Sequence, residues 1–188
     1  DKVIELVQAL ADQGITLKHV DLGGGLGVRY IDESPVSIAD FADALLPKLT
    51  ELGLKVFFEP GRSMVANAGV LLTRVDVLKP TEHKNFAIVD AAMNDLVRPM
   101  LYNAHHAIIP VKAPPPDAVL KEVEVVGPVC ETGDTFGKPR PLPEIRAGDL
   151  LAIRTAGAYG AVMASTYNTR PLVPEVMVRG GAYAVIRE

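Results

Sequence analysis

Two glycine-bearing stretches in the first third of the chain have the composition of an anion cradle. Gly23-Gly24-Gly25-Leu26-Gly27 follows the run His19-Val20-Asp21-Leu22, and Glu59-Pro60-Gly61-Arg62 follows Val56-Phe57-Phe58. Each reads as a strand that ends in a turn. Consecutive glycines let backbone N–H groups face an anion, and a following helix adds its positive end. Arg62 brings a permanent charge beside that cradle. A lone glycine run is more often a tight turn than a phosphate site, so the two together are a much stronger signal than either alone.

Three further clusters carry groups capable of chemistry. In Asn94-Asp95-Leu96-Val97-Arg98-Pro99-Met100-Leu101-Tyr102, Arg98 and Tyr102 are four residues apart and can share one side of a helical turn; on spacing alone a solvated Arg and a half-buried Tyr is the favoured reading. Cys130-Glu131-Thr132-Gly133-Asp134 puts a thiol and two carboxylates in a turn after a β run. A free cysteine is most often a small buried hydrophobe, whereas a thiol among polar turn residues can give or take a proton, and Glu131 can pair with an ammonium group. Ala156-Gly157-Ala158-Tyr159-Gly160 flanks one aromatic with small residues, which suits either close approach of the Tyr159 hydroxyl to a ligand or turn packing. His19, His83, His105 and His106 have no metal-ligand spacing with one another or with Cys130 and read as structural or surface residues, so no metal site is expected.

The elements that must position these groups divide into two styles. Val3, Leu6, Val7 and Leu10 form the stripe of a helix packed on a sheet, stopped at Gly14. After the first strand, Ser37 and Asp40 make a capping pattern ahead of Ile38, Phe41, Leu45 and Leu49, a second helix with Pro47 inside it; Gly53 ends it before the strand Leu54 to Phe58. Helix, strand, helix, strand is the parallel α/β pattern. In a (β/α)8 barrel the phosphate sits on the loops after the seventh and eighth strands, the place two such glycine turns in succession would occupy. From about residue 68, helical spacing gives way to short β-rich runs: Val70 to Leu78, Phe86 to Val89, Leu120 to Val126, Leu150 to Arg154, Glu175 to Val178 and Ala182 to Ile186. Separated by Pro, Gly and Asp clusters, they predict an antiparallel barrel or sandwich. The fold class is thus α/β plus all-β.

Composition narrows the functions. The net charge of -4 comes from interspersed acids and bases, which excludes a nucleic-acid surface and a polybasic membrane anchor. No apolar run approaches the ~18 residues of a membrane span and the first residues are amphipathic, so a cytoplasmic chain is expected. One cysteine, Cys130, excludes an internal disulfide and leaves a buried thiol, a catalytic thiol or an intermolecular partner.

The ordered set GGGLG, EPGR, MNDLVRPMLY, CETGD, GAYG and YNTRP runs over nearly the whole chain. It resembles the fold-type III pyridoxal-phosphate-dependent decarboxylases, most closely the branch that converts meso-2,6-diaminopimelate to L-lysine. CETGD has Thr132 where Ser is more usual, which keeps the hydroxyl. The resemblance implies the C-terminal portion of a pyridoxal-phosphate-binding (β/α)8 barrel over residues 1–67, followed by an antiparallel β-barrel or sandwich domain over 68–188. It implies pyridoxal 5'-phosphate as cofactor, its phosphate held by Gly24, Gly25, Gly61 and Arg62 in the Glu59-Pro60-Gly61-Arg62 turn, with Glu59 against the pyridine nitrogen. For an amino-acid substrate it implies Arg62, Arg98 and Tyr102 on the distal carboxylate, Glu131 on the distal ammonium, Cys130 as donor of a proton to the carbon that has lost carbon dioxide, and Tyr159 touching both cofactor and substrate. It also implies a homodimer with shared active sites, Cys130 and Glu131 reaching into the neighbouring subunit's site.

Decarboxylases of ornithine, arginine or carboxynorspermidine share several of these motifs; Arg98 with Tyr102 favours a substrate with a distal carboxylate, which ornithine and arginine lack. Chemistry of this kind also needs a Schiff-base lysine at the end of an early barrel strand. None of Lys2, Lys18, Lys48, Lys55, Lys79, Lys84, Lys112, Lys121 and Lys138 closes such a strand, and Lys55 stands at the wrong end of its own. The family's lysine motif is therefore expected upstream, in a protein of roughly twice this length, and by itself the chain reads as a silent fragment or β-domain module.

Overall fold

The computed structural model describes residues 2–188, which fall into two compact units dividing after Val65. In the first, helix α1 (Lys2–Asp12) leads to strand β1 (His19–Asp21), helix α2 (Ile38–Thr50), strand β2 (Lys55–Phe57) and the short helix α3 (Gly61–Val65). β1 and β2 pair in parallel, Val20 opposite Val56. α2 starts where its sequence dictates: the Ser37 side chain accepts from the Asp40 backbone N–H at 3.0 Å and donates to the Asp40 carboxylate at 2.7 Å. Pro47 costs α2 one backbone donor, yet the helix runs on to Thr50. The expected burial of the α1 stripe is not met, since α1 has no buried residue, and Leu6 is exposed. Leu49 is the only buried hydrophobic residue of this unit's described residues, because two three-residue strands offer too little surface to cover two helices.

The second unit, Ala66–Glu188, is mostly sheet. Strands β3 (Leu71–Pro80), β4 (Asn85–Val89), β5 (Ile108–Pro110), β6 (Lys121–Val126), β7 (Arg140–Leu142) and β8 (Leu150–Ile153) form one six-stranded sheet in the order β5-β8-β3-β4-β6-β7. Its edge strands β5 and β7 approach each other, curling it toward a barrel. Alternation sets the inner face: Thr73 and Val75 of β3, Val123 and Val125 of β6, and Leu151 and Ile153 of β8 are buried while their neighbours are less so. Phe136, Leu142 and Ile145 join them in one core.

The sheet corrects the expectation of a purely antiparallel domain. β4 and β6 pair in parallel, Ala87 opposite Val125, because the chain between them makes a long excursion through helix α4 (Arg98–Tyr102) and β5 and returns to β4 in the same direction. Strands β9 (Glu175–Arg179) and β10 (Ala182–Arg187) stay outside that sheet as a hairpin of their own, with a register shift between Val185 and Arg187. Among the described residues no helix is long and apolar enough to cross a membrane.

Candidate functional site

In the first unit the two glycine turns lie against each other. The Glu59 N–H donates to the Gly23 carbonyl at 2.8 Å, and the Leu22 N–H donates to the Phe57 carbonyl at 3.1 Å. Asp21 closes the first turn by accepting from the Gly23 N–H at 2.8 Å. Only glycine fits at position 24, since a Cβ there would lie 2.4 Å from the Glu59 carbonyl oxygen, and Gly25 has φ +102°, a left-handed backbone. Beyond them Gly61 and Arg62 open α3, where Met64 N–H and Ser63 Oγ both donate to the Pro60 carbonyl. A backbone stripped of side chains next to an arginine in the first turn of a helix fits a phosphate group. Glu59 is exposed at the junction of the two turns.

The second unit carries the remaining groups. Arg98 opens α4, a single turn closed by Asn103 in the left-handed conformation, whose N–H bonds the Arg98 carbonyl. The Arg98 guanidinium lies over the Tyr159 ring, 5.7 Å from its centroid. Tyr159 itself has φ 59°, a strained value for an aromatic residue of the kind that gathers at functional sites. Behind Arg98 stands His106, fully buried, with Nε2 3.1 Å from the Arg98 Nη1 and Nδ1 2.9 Å from the Arg154 carbonyl. Tyr102, at the far end of α4, is exposed.

Cys130 and Glu131 are exposed on a loop braced from within by Asp134. The Asp134 carboxylate is buried and accepts from the Val129 N–H at 2.6 Å on one oxygen and from the Met93 N–H at 2.7 Å on the other. Burial pushes this carboxyl above the usual range; those two N–H bonds and the charge of Arg170 work against the push. The same loop packs on α4, a Cβ at Gly133 being only 3.1 Å from Met100 Cγ. Glu131 accepts a 2.7 Å hydrogen bond from the Tyr167 hydroxyl, which raises the Tyr167 pKa.

Tyr167 is held by a stapled turn. Asn94 donates to the Ser165 carbonyl at 3.0 Å and takes the Ser165 N–H on its own carbonyl, while Arg170 donates to the Asn94 side chain at 2.9 Å and to the Asp90 carbonyl at 2.6 Å. Between these anchors Asn168 and Thr169 both have φ 58°. The predicted site residues therefore fall in two sets: Gly24, Gly25, Glu59, Pro60, Gly61 and Arg62 in the first unit, and Arg98, Tyr102, Cys130, Glu131 and Tyr159 in the second. The sequence assigned no role to His106, Asp134, Tyr167 or Arg170. Asp134 lies within the CETGD motif and Tyr167–Arg170 within YNTRP, whereas His106 gives no spacing signal. Among the described residues no cluster could hold a metal ion.

Residues 9–157 match the family model described as the C-terminal sheet domain of pyridoxal-dependent decarboxylases. The chain is 52% identical over 189 residues to a diaminopimelate decarboxylase of Vibrio cholerae, covering 100% of this chain and 45% of that protein. It is 56% identical over 180 residues to one of Pseudomonas aeruginosa, covering 96% and 43%. Among solved structures, the diaminopimelate decarboxylase of Helicobacter pylori complexed with L-lysine superposes with a TM-score of 0.90 at 44% identity, covering 100% of this chain and 46% of that one. The chain thus spans less than half the length of the relatives it matches.

Proposed function

This chain belongs to the pyridoxal-dependent decarboxylase family, and on that premise we propose that it is the C-terminal part of a diaminopimelate decarboxylase, which converts meso-2,6-diaminopimelate to L-lysine and carbon dioxide. The first unit is read as the closing portion of a (β/α)8 barrel; two parallel strands ending in paired glycine turns support this. The β domain follows it, with the domain boundary read at 67/68, two residues after the division between the compact units. The working enzyme is a cytoplasmic homodimer whose subunits share sites. The unpaired, exposed Cys130 suits a reducing compartment.

Gly24, Gly25, Gly61 and Arg62 would hold the phosphate of pyridoxal 5'-phosphate, with Pro60 shaping the turn that carries them, and Glu59 would keep a proton on its ring nitrogen. When bound, the cofactor supplies an electron-withdrawing ring that stabilises the charge left as carbon dioxide departs. Arg62, Arg98 and Tyr102 would grip the distal carboxylate of the substrate, and Glu131 its distal ammonium, which leaves the other carboxylate as the one to depart. Cys130 Sγ delivers a proton to the decarboxylated carbon. Tyr159 would touch both cofactor and substrate from its strained position.

The observation that carries the substrate assignment is the Arg98 guanidinium, fixed between the Tyr159 ring and the His106 imidazole. A guanidinium fixed in this way suits a carboxylate, not the ammonium or guanidinium tail of ornithine or arginine. In the full-length enzyme Arg98→Ala is expected to raise KM for diaminopimelate by about 10- to 150-fold, the loss of a charge-assisted hydrogen bond, with cofactor affinity within twofold by roughly the same reasoning. Equal loss of both would contradict the assignment.

A further inference from the structure

We propose that His106 is a positioning residue for Arg98, a neutral imidazole that fixes the plane in which the guanidinium meets the substrate's distal carboxylate. The inference rests on the substrate reading above and adds a residue to it. Chemistry settles the tautomer. Arg98 can only donate, so His106 Nε2, 3.1 Å away, must accept; the Arg154 carbonyl can only accept, so Nδ1, 2.9 Å away, must carry the hydrogen. Each ring nitrogen is thereby committed, and the ring is fully buried.

A protonated ring would set an N–H against the Arg98 N–H, which this arrangement does not tolerate. Burial also disfavours the charged ring, the bond to the Arg154 carbonyl favours it, and the charges of Arg98, His105 and Arg140 oppose it; the net direction is down. The imidazole thus sits as a fixed acceptor behind a guanidinium that lies over the Tyr159 ring, 5.7 Å from its centroid. With ring and imidazole both in place, Arg98 loses less freedom when a carboxylate arrives.

The test uses the full-length holoenzyme and equilibrium binding of L-lysine, which keeps that carboxylate. His106→Gln places an acceptor near the Nε2 position and should stay within about twofold of wild type, whereas His106→Asn keeps only the donor to Arg154 and should weaken lysine binding by about fivefold. In an Arg98→Ala background the Asn substitution should have no further effect on lysine binding. Equal weakening by Gln and Asn, or an Asn effect that persists without Arg98, overturns the positioning role while leaving the substrate reading intact. If Arg98→Ala alone leaves lysine binding unchanged, the substrate reading falls and the role of His106 with it. Nitrogen-15 spectra of the wild-type enzyme need no variant: a His106 ring protonated on Nδ1 is expected, and one protonated on Nε2 overturns the proposal.

Discussion

Asp134 ties the Cys130–Glu131 loop to the segment leading into α4 through both of its carboxylate oxygens, and its removal should loosen both. Its two carboxylate oxygens are divided between the Val129 N–H at 2.6 Å and the Met93 N–H at 2.7 Å, in a site where the residue is 3% exposed. Asp134→Asn turns one acceptor into an NH2 that faces an N–H. A buried N–H without an acceptor costs about 1–3 kcal/mol, or about 5- to 150-fold in the local opening equilibrium, at about 1.4 kcal/mol per factor of ten. Asp134→Ala strands both N–H groups, and the cost roughly doubles. Hydrogen exchange followed by mass spectrometry on the full-length enzyme reads this directly. The Asn variant should lose that much protection in one of the two segments, 127–135 or 91–95, and the Ala variant should lose it in both. If the Ala variant opens residues 127–135 while 91–95 keep wild-type protection, the carboxylate is not the link between them.

Gly24→Ala should lower cofactor affinity by about tenfold or more, since its Cβ would lie 2.4 Å from the Glu59 carbonyl oxygen and force the two turns apart; cofactor titration at wild-type affinity would separate Gly24 from the phosphate. Tyr167→Phe removes the 2.7 Å bond to Glu131 and should raise KM for diaminopimelate by about two- to fivefold with kcat unchanged; a fall in kcat at constant KM would tie Tyr167 to the chemical step instead. His106, which faces Arg98 on α4, Arg140 on β7 and its neighbour His105, is held by burial below the ordinary 6.5. An unfolded chain then takes up its proton first as the pH falls, so this group's contribution is whole above about 6.5 and declines as the pH drops toward the folded value. Melting temperature against pH should therefore fall less steeply below about pH 6.5 in His106→Gln than in wild type, and identical slopes would remove His106 as the cause.

The parts of the fold legible in the sequence are those governed by local rules. The Ser37–Asp40 cap, the strands on either side of the glycine turns and the alternation of β3, β6 and β8 each depend on residues a few positions apart. The parallel pairing of β4 with β6 depends on where the excursion over residues 90–120 returns, which no local pattern encodes. β5 and β7 have three residues each and include Pro110 and Pro141, so they lack the length and composition that announce a strand. The α1 stripe was legible as a stripe, but what covers it is a matter of tertiary structure.

The site divides along a similar line, with a physical reason. Cys130, Glu131, Tyr102 and Tyr159 are exposed, as groups that meet a ligand must be, and their types alone suggest chemistry. Asp134, His106, Asn94 and Asp95 are buried, and each persists there only because its polar atoms are bonded: Asp134 to two N–H groups, His106 to Arg98 and Arg154, and Asn94 with Asp95 to Arg170 and the turn that carries Tyr167. Partners five to 76 residues away in the chain satisfy these groups. Asp134 and His106 each need one at least 41 residues away, and Asn94 and Asp95 meet Arg170 from 76 and 75, so their function is invisible until the sheet has folded. The consequence is a coupled scaffold. A change in any one of them should move more than one ligand-facing residue, and substitution effects within it should be strongly non-additive.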